Sequence, residues 1–215
     1  MHATPRPIVG LGAGTHAKSL LEALRSTGEF EVVALVDDDP ARVGTKLLGY
    51  PVRGPEALAE LQDGGVADAF AGIGGVVSSE ARKAAFSRLL EDGFRLPAIV
   101  HATASVSRFA RLGNGCQVLA RTVINADAEL GENAIVNTAA VVEHDCRIGS
   151  HVHVGPGALL GGLVTVQDDA QIGMGAVVIQ ECTIGAGAFV AAGAVVVDDV
   201  APGARMAGVP ARPMS

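Results

Sequence analysis

Glu143, His144 and Asp145 put an imidazole between two carboxylates, and a second histidine, His153, follows nine residues after the first. Imidazole titrates near neutral pH, so a histidine in this setting can take up and return a proton. A carboxylate bonded to one ring nitrogen decides which nitrogen does so. Asp145 is the expected orienting carboxylate, and Glu143 is its rival. No Ser or Cys stands out as a nucleophile, which points to general-base rather than covalent chemistry. Near the start of the chain, Gly12, Ala13 and Gly14 follow a short apolar run and precede helical spacing. Backbone N–H groups at such a helix start can hold an anion.

The two groups of residues sit in different kinds of sequence. Over about the first hundred residues, strand-like stretches at 8–11, 31–36 and 67–73 alternate with helix-like ones at 16–26, 55–62 and 78–91. Ser78 or Ser79 is the expected cap of the last helix. This alternation predicts a small parallel α/β sheet, Rossmann-like in its glycine turn. A dinucleotide dehydrogenase is not expected, because so short a sheet leaves no second nucleotide-binding half.

From residue 100 a six-residue rhythm takes over. Every sixth residue from Val106 to Val196 is Val, Leu or Ile, sixteen in all, and four residues after each stands a small or β-branched one. A helix of period 3.6 cannot hold residues six apart on one face over such a length, whereas a three-sided coil can. Three hexads per turn stack residues eighteen apart and give about five coils, each rising roughly 4.8 Å. The aliphatic position points inward and the small one fills the corner. Glycines directly after the aliphatic position, such as Gly113, Gly131, Gly149 and Gly173, are expected to mark tight corners. Cys116, Cys146 and Cys182 all fall at the small position, which predicts core packing rather than redox or metal roles. The expected domains are 1–99 and 100–215.

Bulk composition sets further bounds. A formal charge of -7 over 215 residues argues against a nucleic-acid partner, which needs a basic face. The longest apolar run, 184–197, is shorter than the roughly 20 residues of a membrane-spanning helix, and the N-terminal residues do not resemble a secretion signal. A cytoplasmic protein with reduced cysteines is expected.

The tract Asn137-Thr138, Val142-Glu143-His144-Asp145-Cys146-Arg147-Ile148-Gly149 and His151-Val152-His153-Val154-Gly155-Pro156-Gly157, with the closing Ala207-Gly208-Val209-Pro210-Ala211, resembles the sugar acyltransferases of the sialic acid O-acetyltransferase type. That family includes the 4-amino-sugar N-acetyltransferases of the bacillosamine and perosamine kind, and the resemblance spans nearly the whole chain. It implies an α/β N-terminal domain joined to an all-β left-handed parallel β-helix. The implied activity is acetyl transfer from acetyl-CoA to the C-4 amine of a nucleotide-linked 4-amino-4,6-dideoxy sugar for bacterial surface glycans, with no metal. By the same resemblance His144 is the catalytic base and Asp145 its acidic neighbour, while Asn137 is a polar residue near the site. His153, Gly162, Met174 and Ala192 line the acetyl-CoA site; Gly12, Ala13 and Gly14 hold the nucleotide sugar, with Asp37 and Asp38 near its base or ribose. Thr15 stands where many relatives carry glycine, which leaves UDP and GDP both open. Arg205 and Arg212 are candidates for the CoA phosphates or plain surface charges, and His16 is either a nucleotide contact or a helix-start residue.

One consequence comes from the repeat itself. Nine residues is half a coil, so His144 and His153 face different sides of one prism. If both serve one thioester they come from neighbouring chains, which predicts a homotrimer with sites at its interfaces. Three other readings remain: sugar O-acetylation; a zinc hydratase using His144, His151 and His153, whose spacing does not fit that family; and a nucleotide-sugar binding module without catalysis.

Overall fold

A computed structural model describes residues 4–75 and 79–214. The chain divides into two compact units, Met1–Gly75 with Glu80–Ala102, and Val76–Ser79 with Thr103–Ser215.

The first unit runs β1 (Arg6–Leu11), α1 (Thr15–Thr27), β2 (Phe30–Val36), β3 (Lys46–Leu47), β4 (Tyr50–Arg53), α2 (Ala57–Asp63), β5 (Asp68–Ala71) and α3 (Glu80–Glu91). The sheet order is β3-β4-β2-β1-β5, with β1 parallel to both β2 and β5. A strand covered on both faces reads as an apolar run, and β1 buries its residues from Ile8 to Leu11. In α1 the buried Ala17, Leu20, Leu21 and Leu24 follow the i, i+3, i+4, i+7 stripe, and Gly28 ends the helix with φ 66°. Periodicity did not reveal the β3–β4 hairpin. Its strands are too short to show alternation, and its two-residue turn takes positive φ at Leu48 and Gly49. β5 stops at Ala71, short of the expected residue 73, where the chain enters Gly72-Ile73-Gly74. Ser78, one of the two expected caps, lies outside the described residues.

The second unit is a left-handed parallel β-helix. Sixteen two-residue strands recur every six residues from Ser105–Val106 to Val195–Val196, and strands eighteen residues apart pair in parallel, as in Val123↔Val141↔Leu159. Three sheets result. Face 1 contains Val141–Val142, face 2 Arg147–Ile148 and face 3 His153–Val154. Aliphatic positions such as Val136, Val142 and Val154 are wholly buried, as are small ones such as Ala134, Ala140 and Cys146. Val106 and Leu112, in the first coil, are only half-buried.

The expectation for the corners needs correction. The left-handed residue lies three positions after the aliphatic one, at Gly115, Arg121, Asp127, Asn133, Ala139 and Asp145 and onward. Glycine directly after the aliphatic position answers a different constraint. A Cβ on Gly113 would stand 2.8 Å from the Glu132 nitrogen, and one on Gly173 2.5 Å from the Ala192 nitrogen, so these glycines let successive coils stack.

The outward residues give each face its own character. On face 1, beyond Ser105 in the first coil, they are aliphatic, namely Val123, Val141, Leu159, Val177 and Val195, with Leu159 45% exposed. Face 2 carries a charged ladder, in which Arg111 pairs with Glu129 and Arg147 lies 3.7 Å from the same carboxylate. On face 3, Gln117, Ile135, His153 and Gln171 are buried. Among the described residues no helix is long and apolar enough to cross a membrane.

Candidate active site

His144 stands two residues past the face-1 strand Val141–Val142, in the turn toward face 2. Asp145 takes the left-handed corner, φ 60°, which Asp tolerates better than most residues. Its Oδ2 lies 2.9 Å from His144 Nδ1. An ionised carboxylate only accepts, so in the neutral ring the proton sits on Nδ1 and Nε2 keeps its lone pair. The Nε2 edge faces Gly162, one coil later, where a Cβ would come within 2.8 Å of Nε2 and 2.7 Å of Cε1. Glu143 is engaged elsewhere. Its Oε2 accepts from Asn125 Nδ2 at 2.7 Å and from the His144 N–H at 3.4 Å. Of the two rival carboxylates, Asp145 is therefore the one that contacts the imidazole.

His153 projects from face 3 and is 5% exposed. Asn137 Oδ1 accepts the Thr138 N–H at 2.8 Å, which turns its amide nitrogen toward His153 Nε2 at 3.1 Å. The residues expected around acetyl-CoA fall into two groups. Gly162 adjoins His144 at the corner between faces 1 and 2, whereas Met174 and Ala192 stack one coil apart at the corner between faces 3 and 1. That second corner is held by the Gly175 N–H bonded to Pro156 O and the Gly193 N–H bonded to Met174 O, and it leaves Met174 62% exposed.

Among the remaining expected residues, Arg205 stacks over the Phe189 ring at 4.5 Å, and Arg212 Nη1 donates to Ala211 O at 2.9 Å. His151 is itself a left-handed corner residue, with Nδ1 3.0 Å from Asn133 Nδ2. The three cysteines are buried free thiols; burial pushes the Cys146 thiol up to about 11. Among the described residues no cluster of His, Cys, Asp and Glu side chains is arranged to hold a metal.

In the first unit, Gly12 takes φ 101° and its N–H donates to Val36 O at 2.7 Å. Asp37 sits beneath this turn, 5% exposed. Its Oδ2 accepts from the Ala13 N–H at 2.6 Å and from Arg42 Nη1 at 3.0 Å, and its Oδ1 from the Asp39 N–H at 3.0 Å. Burial works to raise this carboxyl, but the two N–H groups and the guanidinium outweigh it and hold it below the usual range. Asp37 thus shapes the turn, while Asp38 is exposed. α1 begins at this turn with no side-chain cap, so its first N–H groups point to a place that favours an anion.

Sequence reasoning missed two parts of this region. Gly72 packs against Gly12, where a Cβ would meet the Gly12 carbonyl at 2.3 Å, and Gly74 packs against His16. Two adjacent parallel strands, β1 and β5, therefore both end in glycine turns, at the point where the strand order reverses and α/β sheets bind ligands. The repeated Gly-X-Gly after an apolar run was the available signal. Arg42, close to Gly14 and bonded to Asp37, had none, because its position depends on the loop before the hairpin.

Comparisons with known proteins match both units of the chain. Residues 8–89 match the PglD N-terminal domain family, and residues 164–198 match the bacterial transferase hexapeptide family. No match was found among curated proteins. Among solved structures the chain is similar to the GDP-perosamine N-acetyltransferase of Caulobacter crescentus in complex with CoA and GDP-perosamine, at 40% identity, 97% coverage of both chains and a TM-score of 0.88. Structures of that enzyme include variants with one histidine replaced by alanine or asparagine. The acetyltransferase domain of PglB from Neisseria gonorrhoeae, in complex with acetyl coenzyme A, is 34% identical over 98% of this chain and 100% of that one, with a TM-score of 0.88. WeeI from Acinetobacter baumannii is 28% identical over 97% and 100%, with a TM-score of 0.85.

Proposed function

Because the chain belongs to the hexapeptide-repeat family of CoA-dependent, nucleotide-linked amino-sugar N-acetyltransferases, we propose that it acetylates the C-4 amine of a 4-amino-4,6-dideoxy sugar carried on GDP. The 40% identity along 97% of the perosamine enzyme, against 34% for the PglB domain, favours the GDP-linked substrate. The observation that carries the chemistry is the contact between His144 Nδ1 and Asp145, which leaves Nε2 able to accept a proton.

Acetyl-CoA supplies an acetyl thioester, whose carbonyl carbon needs little activation but demands a neutral amine. His144 Nε2 acts as the base. As the new C–N bond forms, the nitrogen becomes acidic and its proton passes to Nε2; Asp145 stabilises the imidazolium, which returns the proton to the departing sulfur as the C–S bond breaks. The glycine turn at Gly12–Gly14, with Gly72, Arg42 and the open N-terminus of α1, fits a nucleoside diphosphate, and Asp38 is the carboxylate left for base or ribose.

The enzyme works as a homotrimer in this reading. Face 1 is a partly exposed aliphatic sheet face, bordered on one edge by His144 and Gly162 and on the other by Met174 and Ala192. Packing such faces around a threefold axis brings the His144 edge of one chain to the Met174 edge of the next. The apolar strip of Met174 and Ala192 suits the pantetheine arm, and His153 from the neighbour faces the thioester. Acetyl-CoA and nucleotide sugars are cytoplasmic metabolites, which fits three free thiols.

Product analysis by mass spectrometry with GDP- and UDP-linked 4-amino sugars and free sialic acid tests this reading. One acetyl group on the GDP-linked amine is the expected result. Acetylation of sialic acid hydroxyls alone, or no CoA release with any acceptor, overturns it.

A further inference from the structure

We propose that Glu143 receives the substrate amine in its ammonium form and aligns it with His144, an inference that rests on the amino-sugar reading above. An amine flanked by electronegative substituents titrates near the α-amino range of about 8, so at neutral pH most of it arrives carrying a positive charge. The site must recognise that cation before His144 can take its proton.

Three observations point to Glu143. Asn125, one coil earlier, holds Oε2 at 2.7 Å, and the His144 N–H touches the same oxygen at 3.4 Å, which fixes the carboxylate beside the base. Among the described residues Oε1 accepts no hydrogen bond, so one charged oxygen is left for a ligand. Gly161 and Gly162, eighteen residues on, place no side chain against Glu143 and His144, of which Glu143 is half-buried and His144 exposed. The neighbouring charges leave Glu143 as the uncommitted anion. Asp145 is paired with His144, and Arg147 is turned away, donating to Asp127 O and Cys146 O and approaching Glu129. The charge thus has a division of labour: Asp145 orients the base and Glu143 holds the acceptor. Once the ammonium proton has passed through His144 to solvent, the neutral amine is left at Glu143 with its lone pair free to attack.

The test is calorimetric binding, without acetyl-CoA, of the GDP-linked 4-amino sugar and of its 4-hydroxy counterpart. Wild-type protein is expected to favour the amine by about tenfold, the range of one charge-assisted contact. Glu143→Gln keeps an oxygen for Asn125 and should bring the two affinities together. In turnover the same variant should raise KM for the amino sugar about tenfold while kcat falls much less, and His144→Ala should keep the binding preference while losing kcat. An unchanged preference and KM in Glu143→Gln would overturn the inference and leave the amino-sugar reading standing. Failure of the wild type to bind either GDP-linked ligand would remove that reading itself, and the inference with it.

Discussion

His144 and Gly162 lie one coil apart, and the imidazole edge occupies the space a Cβ at residue 162 would need, 2.7 Å from Cε1. Gly162→Ala must therefore push the ring away from its position over the corner. We expect kcat/KM to fall at least about tenfold, because small misplacements of a base are costly. The melting temperature should hardly change, since His144 is exposed. Steady-state kinetics beside thermal unfolding checks both.

Asp145→Asn replaces an acceptor with an amide that can donate to Nδ1 and so shift the ring proton to Nε2. The expected loss in kcat is about 10²-fold or more, with KM for acetyl-CoA little altered. Near-normal kcat would mean that Asp145 serves the corner and not the base.

Asp37 is held below its ordinary carboxylate range, so its contribution to stability is fully present above the unfolded value of about 3.9 and is lost as pH falls further. Asp37→Asn should mimic that loss at neutral pH. It should lower the stability of the first unit and raise KM for the nucleotide sugar but not for acetyl-CoA, as measured by denaturation and by varying each substrate separately.

The Cys146 thiol is shifted the other way, to about 11, because burial penalises the thiolate. Its contribution is fully present below the unfolded value of about 8.5 and disappears as pH rises toward the folded one. Native protein should resist thiol labelling at pH 7, and Cys146→Ala should show a smaller loss of stability between pH 9 and 11. Rapid labelling of Cys146 in the folded state would contradict its place in the core.

These outcomes divide along the line between what the chain shows in one dimension and what it does not. The hexad register was readable from Val106 to Val196, because each aliphatic residue meets the same environment eighteen residues on. The α/β unit was readable in its longer elements, such as β1 and α1, where periodicity had room to develop. Constraints between coils escaped, because Gly113 and Gly173 answer to backbone eighteen or nineteen residues away and not to their own φ. The outward aliphatic column of Val141 and Leu159 was hidden in a sequence already rich in inward valines. His144, Asp145 and His153 are singled out by residue type and motif; Arg42 and Asn125 are not, since each contacts a partner that only the fold brings near.

In the proposed trimer one acetyl-transfer site draws His144 from one chain and His153 from its neighbour. Mixing His144→Ala and His153→Ala proteins in equal amounts, with unfolding and refolding to exchange subunits, tests it directly. In a cyclic trimer each hybrid regains one intact site, so activity should recover to roughly one quarter of wild type from two nearly inactive parents. Activity no greater than the sum of the two parents would contradict it.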